Sequence, residues 1–498
     1  MKDLLPYIPG FINDAMKSLG FFMPEIVLTI GFILVVITDA FSAKKSNGPF
    51  YLTLISLVVA GVFTIQQLQY KSTELFSGML ISDHSGVLFK LVFLMVGLIF
   101  ILFLKNNRDF NSHAKGTGDA CSIFLAVLLG MNLMAMSSNL LMIFISIEMV
   151  SIGSYLMVGY ISKDNRQTEA AVKYVIFGAV CSAIMLYGLS LIYGLTGTLN
   201  LSSPELIRGL SEVPPLVSGV IIILVLVGIG FKLSVVPFHF WSPDVYEGAP
   251  TPVTAFLSTG PKAAGFAILI RFLTPLQNGD STQLDNLLFN FNAILAVAAM
   301  ASMVIGNFGA IWQNNIKRML AYSSIGHTGF LLMAIIAFSA AGFKALMFYI
   351  VIYAIMNMAA FILANEVEEL TGSEEADDYK GLGKQFPLLM VCFVIVLVSL
   401  TGLPPTAGFT AKFLIFSSAL DSYNASGSVW LLLLMITGAV TTVVSLFYYF
   451  KIPLNAFLKA RETPYGLVKY TSMKPIWIIL SVLLIVLLFV PGIIISFL

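Results

Sequence analysis

The sequence predicts an all-α polytopic membrane protein of about fourteen transmembrane helices, and two observations predict it. Of 498 residues, 58% are hydrophobic and only 11% charged, against about 25% charged in ordinary globular chains; mean hydropathy is +0.93. A surface that poor in charge is suited to lipid, not water. The apolar residues also gather into runs near the roughly 20 residues that cross a bilayer.

Such runs lie near 20–40, 50–68, 86–104, 119–137, 139–161, 172–195, 215–238, 250–274, 287–306, 317–338, 343–365, 386–420, 428–450 and 475–497. The first, about Phe21 to Ala40, is too long for the apolar core of a cleavable leader. Helix 12 is too long for one straight span. At its centre stand Gly402-Leu403-Pro404-Pro405-Thr406-Ala407-Gly408, where two prolines remove backbone donors, so the helix should break there. Helix 7 carries a milder version, with Pro237 following Lys232-Leu233-Ser234-Val235-Val236. Broken helices five apart suggest two inverted five-helix repeats, a known transporter design. The expected division is 1–118 for helices 1–3, 119–274 for helices 4–8, 275–450 for helices 9–13 and 451–498 for helix 14.

Loop charges set orientation. Lys44, Lys45, Lys105, Arg108, Lys115, Lys163, Arg166, Lys317, Arg318, Lys380, Lys384, Lys451, Lys459, Arg461 and Lys469 fall on one side, leaving only Lys2, Lys17, Lys71, Arg208 and Lys344 on the other. The positive-inside rule then places both termini outside, periplasmic in a bacterial inner membrane. The four tryptophans, Trp241, Trp312, Trp430 and Trp477, fall near helix ends and read as an interfacial belt. The acidic stretch Glu366 to Lys384 reads as a solvated linker.

Several function classes are excluded. Net charge is +1, so no basic field attracts nucleic acid. Cys121, Cys181 and Cys392 stand alone in apolar runs, with no C-x-x-C and no Cys/His cluster, so no metal or iron–sulfur site is expected. No G-x-G-x-x-G opens a helix after a strand, and no ATP-binding loop occurs. No cofactor is expected on this chain.

The charges that remain within apolar runs carry the functional reading. One charge at the bilayer centre costs about 2.5–3.5 kcal/mol on insertion scales and marks an interior polar path. Glu148 lies mid-helix 5, Lys173 just inside helix 6, Lys232 deep in helix 7, Lys262 mid-helix 8, and Lys412 after the break in helix 12. Burial disfavours the ammonium form of a lysine, and a nearby carboxylate favours it. A lysine balanced between the two can exchange a proton near neutral pH, and a broken helix adds free backbone groups and room for water. His239 and His327 are placed to join such a relay. Each has a plainer alternative: a structural ion pair for Glu148, snorkelling for the lysines, above all Lys173, and a satisfied core position for the histidines. Lys90 and Arg271 read as anchors, Glu25 and Asp39 as interfacial, and Lys317-Arg318 as a positive-inside anchor.

The stretch Gly230-Phe231-Lys232-Leu233-Ser234-Val235-Val236-Pro237-Phe238-His239-Phe240-Trp241-Ser242-Pro243-Asp244, continued as Val245-Tyr246-Glu247-Gly248-Ala249-Pro250-Thr251-Pro252, is highly specific. With Gly260-Pro261-Lys262-Ala263-Ala264, Lys317-Arg318-Met319-Leu320-Ala321-Tyr322-Ser323-Ser324-Ile325-Gly326-His327 and the Gly402–Phe409 break before Lys412, it resembles the antiporter-like subunits of proton-pumping NADH–quinone oxidoreductase (complex I type). The resemblance covers nearly the whole chain. It implies that Glu148 and Lys232 pair, that Lys262 relays a proton along the membrane plane, and that Lys412 passes it to the outer side. Lys173 matches a helix-6 lysine of that family, and His327 falls in a matching motif. It implies a non-redox subunit of a proton translocase, with NADH oxidation and quinone reduction on partner subunits. The alternatives are a subunit of a stand-alone Na+/H+ (Mrp-type) antiporter or of a related membrane-bound hydrogenase complex, and a scaffold with no transport role.

Overall fold

In lipid every backbone N–H and C=O must be paired within its own segment, so apolar runs become helices. The computed structural model describes residues 8–41, 46–112, 116–162, 165–277, 291–461 and 473–498. Lys2, Lys44, Lys45, Lys115, Lys163 and Lys469, which enter the positive-inside count, and the first residues of predicted helix 9 lie outside them. The main helices are α1 (Met23–Phe41), α2 (Gly48–Gln67), α3 (His84–Asn106), α4 (Gly118–Met136), α5 (Leu140–Val158), α6 (Asn165–Thr196) and α7 (Pro215–Leu233). After them come α8 (Thr251–Gln277), α9 (Phe291–Ile311), α10 (Ile316–Ile336), α11 (Ala340–Thr371), α12a (Pro387–Thr401), α12b (Ala407–Ser426), α13 (Val429–Pro453) and α14 (Lys474–Phe489).

Among the described residues, twelve helices are long and apolar enough to span a membrane. The expectation of about fourteen is not met on that measure. Helix 12 divides into 15-residue α12a and 20-residue α12b, the latter diluted by Lys412, Asp421 and serines, while α14 has 16 residues. The central stretches of α8, α10 and α11 are 94% buried, against 28% for α1 and α13. The three interior helices are therefore the ones that can carry a path shielded from lipid.

Both expected breaks are present. Helix α12a stops at Gly402, whose φ of 87° suits glycine, and α12b restarts at Ala407. Helix α7 stops earlier than Pro237 suggests, because Ser234 takes a left-handed φ of 56° and its N–H closes the helix end. Val235 N–H returns to Gly230 O at 2.9 Å, and Trp241 Nε1 donates to Phe231 O at 3.1 Å. The carbonyls left open by the break are thus satisfied within the protein.

One departure from an all-helical chain is the hairpin of β1 (Thr73–Leu75) and β2 (Leu80–Ser82) between α2 and α3. Left-handed Phe76, Ser77 and Gly78 form its turn. The helix Ile8–Gly20 ties the turn down, its Asp14 accepting from Ser77 N–H at 2.7 Å and Ser18 Oγ from Phe76 N–H at 2.9 Å.

Several charges sit deeper than expected. Lys90 and Glu25 are not anchors at an interface: they form a 2.8 Å ion pair with exposures of 1% and 0%. Gln67 accepts from Lys90 at 3.2 Å and Asn132 donates to Glu25 at 3.0 Å, so one cluster ties α1, α2, α3 and α4 together. Removing one partner of such a pair strands the other; Lys90→Met should cost about 3–5 kcal/mol, whereas Lys90→Met with Glu25→Leu should recover most of the loss. Thermal unfolding of the purified protein checks this, and equal loss in single and double variants would contradict it.

Arg271 likewise grips Asp83 through two bonds of 2.5 and 2.7 Å. Burial pushes the Asp83 carboxyl up, but Arg271 and the Gly86 N–H outweigh it and hold the group below the usual carboxylate range. Lys317 is buried and paired with Glu374 at 2.7 Å, and Arg108 meets Glu369 at 3.1 Å. The stretch after Glu366 is therefore a docked cap rather than a solvated linker. Trp241 and Trp477 are buried at 2% and 0% exposure, so only part of the expected belt lies at the surface. Trp241 stacks on Tyr174 at 4.4 Å.

Candidate functional site

Three lysines occupy the interior at the two breaks and between them. Lys232, in the last turn of α7, is 2% exposed, and its Nζ donates to Ser151 of α5 at 3.3 Å. Glu148 lies one turn before Ser151 on α5 and accepts a hydrogen bond from Ser182 of α6. It is half-buried, on a stripe with exposed Leu141, Ile145, Ile152 and Leu156. Lys232 and Glu148 each face a serine rather than each other.

Lys262 follows Pro261 in the middle of α8. Its Nζ donates to Ser324 of α10, 2.7 Å to the hydroxyl and 3.3 Å to the carbonyl, and lies 6.0 Å from the Tyr246 ring centre. Thr328, one turn along α10, donates to Leu233 O at 3.1 Å and to Ser324 O at 3.0 Å. The break in α7 and the Lys262 site are thereby joined through α10. His327, beside Thr328, contacts Tyr349 OH at 2.6 Å and Tyr449 OH at 3.3 Å through its two ring nitrogens.

Lys412 stands in α12b just past the second break. Its Nζ donates to Thr401 O, the last residue of α12a, at 2.7 Å and to Thr442 of α13 at 3.4 Å, 4.6 Å over the Phe330 ring. A cation there satisfies an open carbonyl and meets the negative end of the α12a dipole. Gly402 gives it room, since a Cβ on Gly402 would come 2.6 Å from Lys412 Cδ. Gly402→Ala should therefore cost about 1–3 kcal/mol and displace Lys412. Gly61→Ala, inside α2 where nothing lies within 4 Å, should hold or slightly raise thermal stability and serves as the control.

Lys173 and His239 sit apart from this axis, at one mouth. Lys173 pairs with Glu169 at 2.7 Å and Asp244 at 2.6 Å and is 38% exposed. Asp244 also takes Arg318 at 2.6 Å, and Arg318 takes Glu247 at 2.8 Å. This clamp and His239 border a cavity of about 720 Å³. Arg318 is thus a clamp residue rather than a membrane anchor. Burial raises the Asp244 carboxyl, but hydrogen bonds and charge from Lys173 and Arg318 hold it below the usual range. A lowered carboxyl contributes stability above its unfolded value, about pH 3.9, and loses it only as pH falls through the lower folded value. The clamp should therefore stay closed around neutral pH. Diethyl pyrocarbonate should modify His239 slowly in the native protein and faster in Asp244→Asn; equal rates would show that the clamp does not cover it.

The sequence pattern did not reveal Ser151, Ser182, Ser324, Thr401 and Thr442, which hold the lysines and Glu148, nor Thr328, Tyr349 and Tyr449, which bond the α7 end and His327. Hydroxyls both donate and accept, so they can pass a proton between a lysine and its neighbour.

An axis of buried lysines, two of them at helix breaks, inside a polytopic bundle defines an antiporter-like membrane protein. The chain belongs to the NADH:quinone oxidoreductase/Mrp antiporter transmembrane family, whose model matches residues 137–444. It is 45% identical over 444 residues to NADH-quinone oxidoreductase subunit N 2 of Chloroherpeton thalassium, covering 89% of this chain and 86% of that protein. A chain of respiratory complex I from Thermus thermophilus superposes with a TM-score of 0.76 at 29% identity, covering 95% of this chain and 98% of the other. A chain of the Mrp complex from Dietzia sp. shares the fold, with a TM-score of 0.79 at 20% identity and 96% of each chain covered.

Proposed function

We propose that this chain is the subunit-N-type proton-translocating membrane subunit of a bacterial NADH–quinone oxidoreductase. Electron transfer takes place on other subunits, and this chain moves protons across the inner membrane beside further membrane subunits. The observation that carries the reading is the row of buried Lys232, Lys262 and Lys412, the first two linked through Thr328 and Ser324, beside the most buried helices. A proton gathered near His239 loads Lys232, moves to Lys262 along the membrane plane, and leaves past Lys412. Moving one charge against the membrane potential costs about 2.3 kcal/mol per 100 mV, which the redox subunits supply. The loop charges orient the Lys173–Asp244–Arg318 mouth to the cytoplasm and both termini to the periplasm. Residues 119–274 and 275–450 are the two inverted repeats, each with one broken helix.

The shared fold with the Mrp chain favours a second reading, a subunit of a stand-alone cation/proton antiporter. Gentle purification of the tagged protein from its native membrane separates them. Recovery with flavin, iron–sulfur and quinone-site subunits and NADH–quinone activity is expected. Recovery with small antiporter partners alone would overturn the first reading.

A further inference from the structure

Helices α5 and α6 pack against each other in antiparallel sense, and two contacts set their register. Ser182 of α6 donates to Glu148 of α5. One turn back along α6, Gly178 faces Tyr155, seven residues further along α5. A Cβ on Gly178 would overlap the Tyr155 hydroxyl and crowd its ring tip. Glycine inside a helix is unfavourable relative to alanine, so its place here is explained by the room it gives this hydroxyl.

Tyr155 and Ser151 stand four residues apart on α5, and a helical side chain leans back over the preceding turn. The Tyr155 hydroxyl is thereby buried beside Ser151, the residue to which Lys232 donates at 3.3 Å. The Tyr155 ring is held edge-on against Tyr174 at 4.7 Å, and Tyr174 stacks on Trp241. Ser151 differs from its neighbours on α5. Ser146 donates to Ile143 O at 3.2 Å and Ser154 to Val150 O at 2.6 Å, as serines inside helices commonly do. Among the described residues Ser151 makes no such bond, and its oxygen faces Lys232 instead. A hydroxyl that accepts from an ammonium sends its own hydrogen elsewhere, and Tyr155 offers the oxygen for it.

We propose that Tyr155 is a positioning residue for Lys232: it draws the Ser151 hydroxyl off its own helix and keeps it turned to the amine in both charge states. When Lys232 is an ammonium, it donates to Ser151, and Ser151 donates to Tyr155. When Lys232 is a neutral amine, Tyr155 donates to Ser151, and Ser151 donates to the amine nitrogen. Two O–H bonds rotate, and no proton leaves either hydroxyl. Without the Tyr155 oxygen, Ser151 turns back to the carbonyl of Ile147, one turn earlier, and Lys232 loses its partner. The inference rests on Lys232 as a proton carrier.

The test is the rate of NADH-driven acidification by the intact complex in vesicles, set against the quantity of assembled complex. Tyr155→Phe keeps the ring and is expected to lower pumping about fivefold, the equivalent of one hydrogen bond, with the complex assembled. Gly178→Ser combined with Tyr155→Phe returns a hydroxyl to the same place from α6 and is expected to restore pumping. Gly178→Ala combined with Tyr155→Phe fills the same space without a hydroxyl and should stay defective. Normal pumping in Tyr155→Phe, no recovery with serine, or equal recovery with alanine would each overturn the role. Lys232→Ala is measured beside them. If it pumps normally, the functional reading itself fails; if it is defective while Tyr155→Phe is not, only the role of Tyr155 falls.

Discussion

Lys232→Ala is expected to cut coupled proton pumping by roughly tenfold or more, since a positioned proton-transfer group contributes about 10²–10⁴, while the complex still assembles. Assembly should survive because Lys232 makes one side-chain hydrogen bond, to Ser151, and removing a buried charge relieves a desolvation cost. Lys232→Met keeps the volume and should fail equally, because it holds no proton. Lys232→Arg should also fail, because a guanidinium does not release one. Glu148→Ala should lower pumping as well, because it removes the carboxylate one turn from Ser151, the hydrogen-bond partner of Lys232. These variants are read by NADH-driven acidification of inverted vesicles beside the quantity of assembled complex. An assembled Lys232→Ala complex that pumps normally would sink the assignment.

Lys412→Met should show a comparable loss of pumping with an added structural effect. The ammonium closes the Thr401 carbonyl at the end of α12a, and a cation at a helix C-terminus contributes about 0.3–1 kcal/mol. Lys412→Arg separates the two roles. It should retain the cap, and with it the melting temperature, but not the proton exchange. Pumping that follows stability across the two variants would make Lys412 a structural cap only.

Much of the fold was legible in the sequence because lipid imposes one rule on every span. Runs of apolar residues with few charges could become only helices, and Gly402-Leu403-Pro404-Pro405 marked the break that Lys412 caps. The break in α7 falls three residues before Pro237, because a left-handed serine at Ser234 has no sequence signal as strong as proline. Burial was harder to read. In a membrane helix both the protein face and the lipid face are apolar, so periodicity does not tell Lys90 in a fully buried pair from Lys90 as an anchor. The same ambiguity hid the interior placement of Trp241 and Trp477. The lysines themselves were visible as charges in apolar runs. Their partners Ser151, Ser324 and Thr401 were not, because a serine or threonine in a span is ordinary until tertiary packing puts it beside an ammonium.

The central claim is that the buried lysines form one proton path through this subunit. It is tested most directly by the number of protons pumped per NADH in vesicles carrying Lys232→Ala, Lys412→Met or both. A shared path predicts that each single variant loses pumping and that the double variant pumps no less than the weaker single. Full pumping in the double variant, with the complex assembled and oxidising NADH, would contradict it.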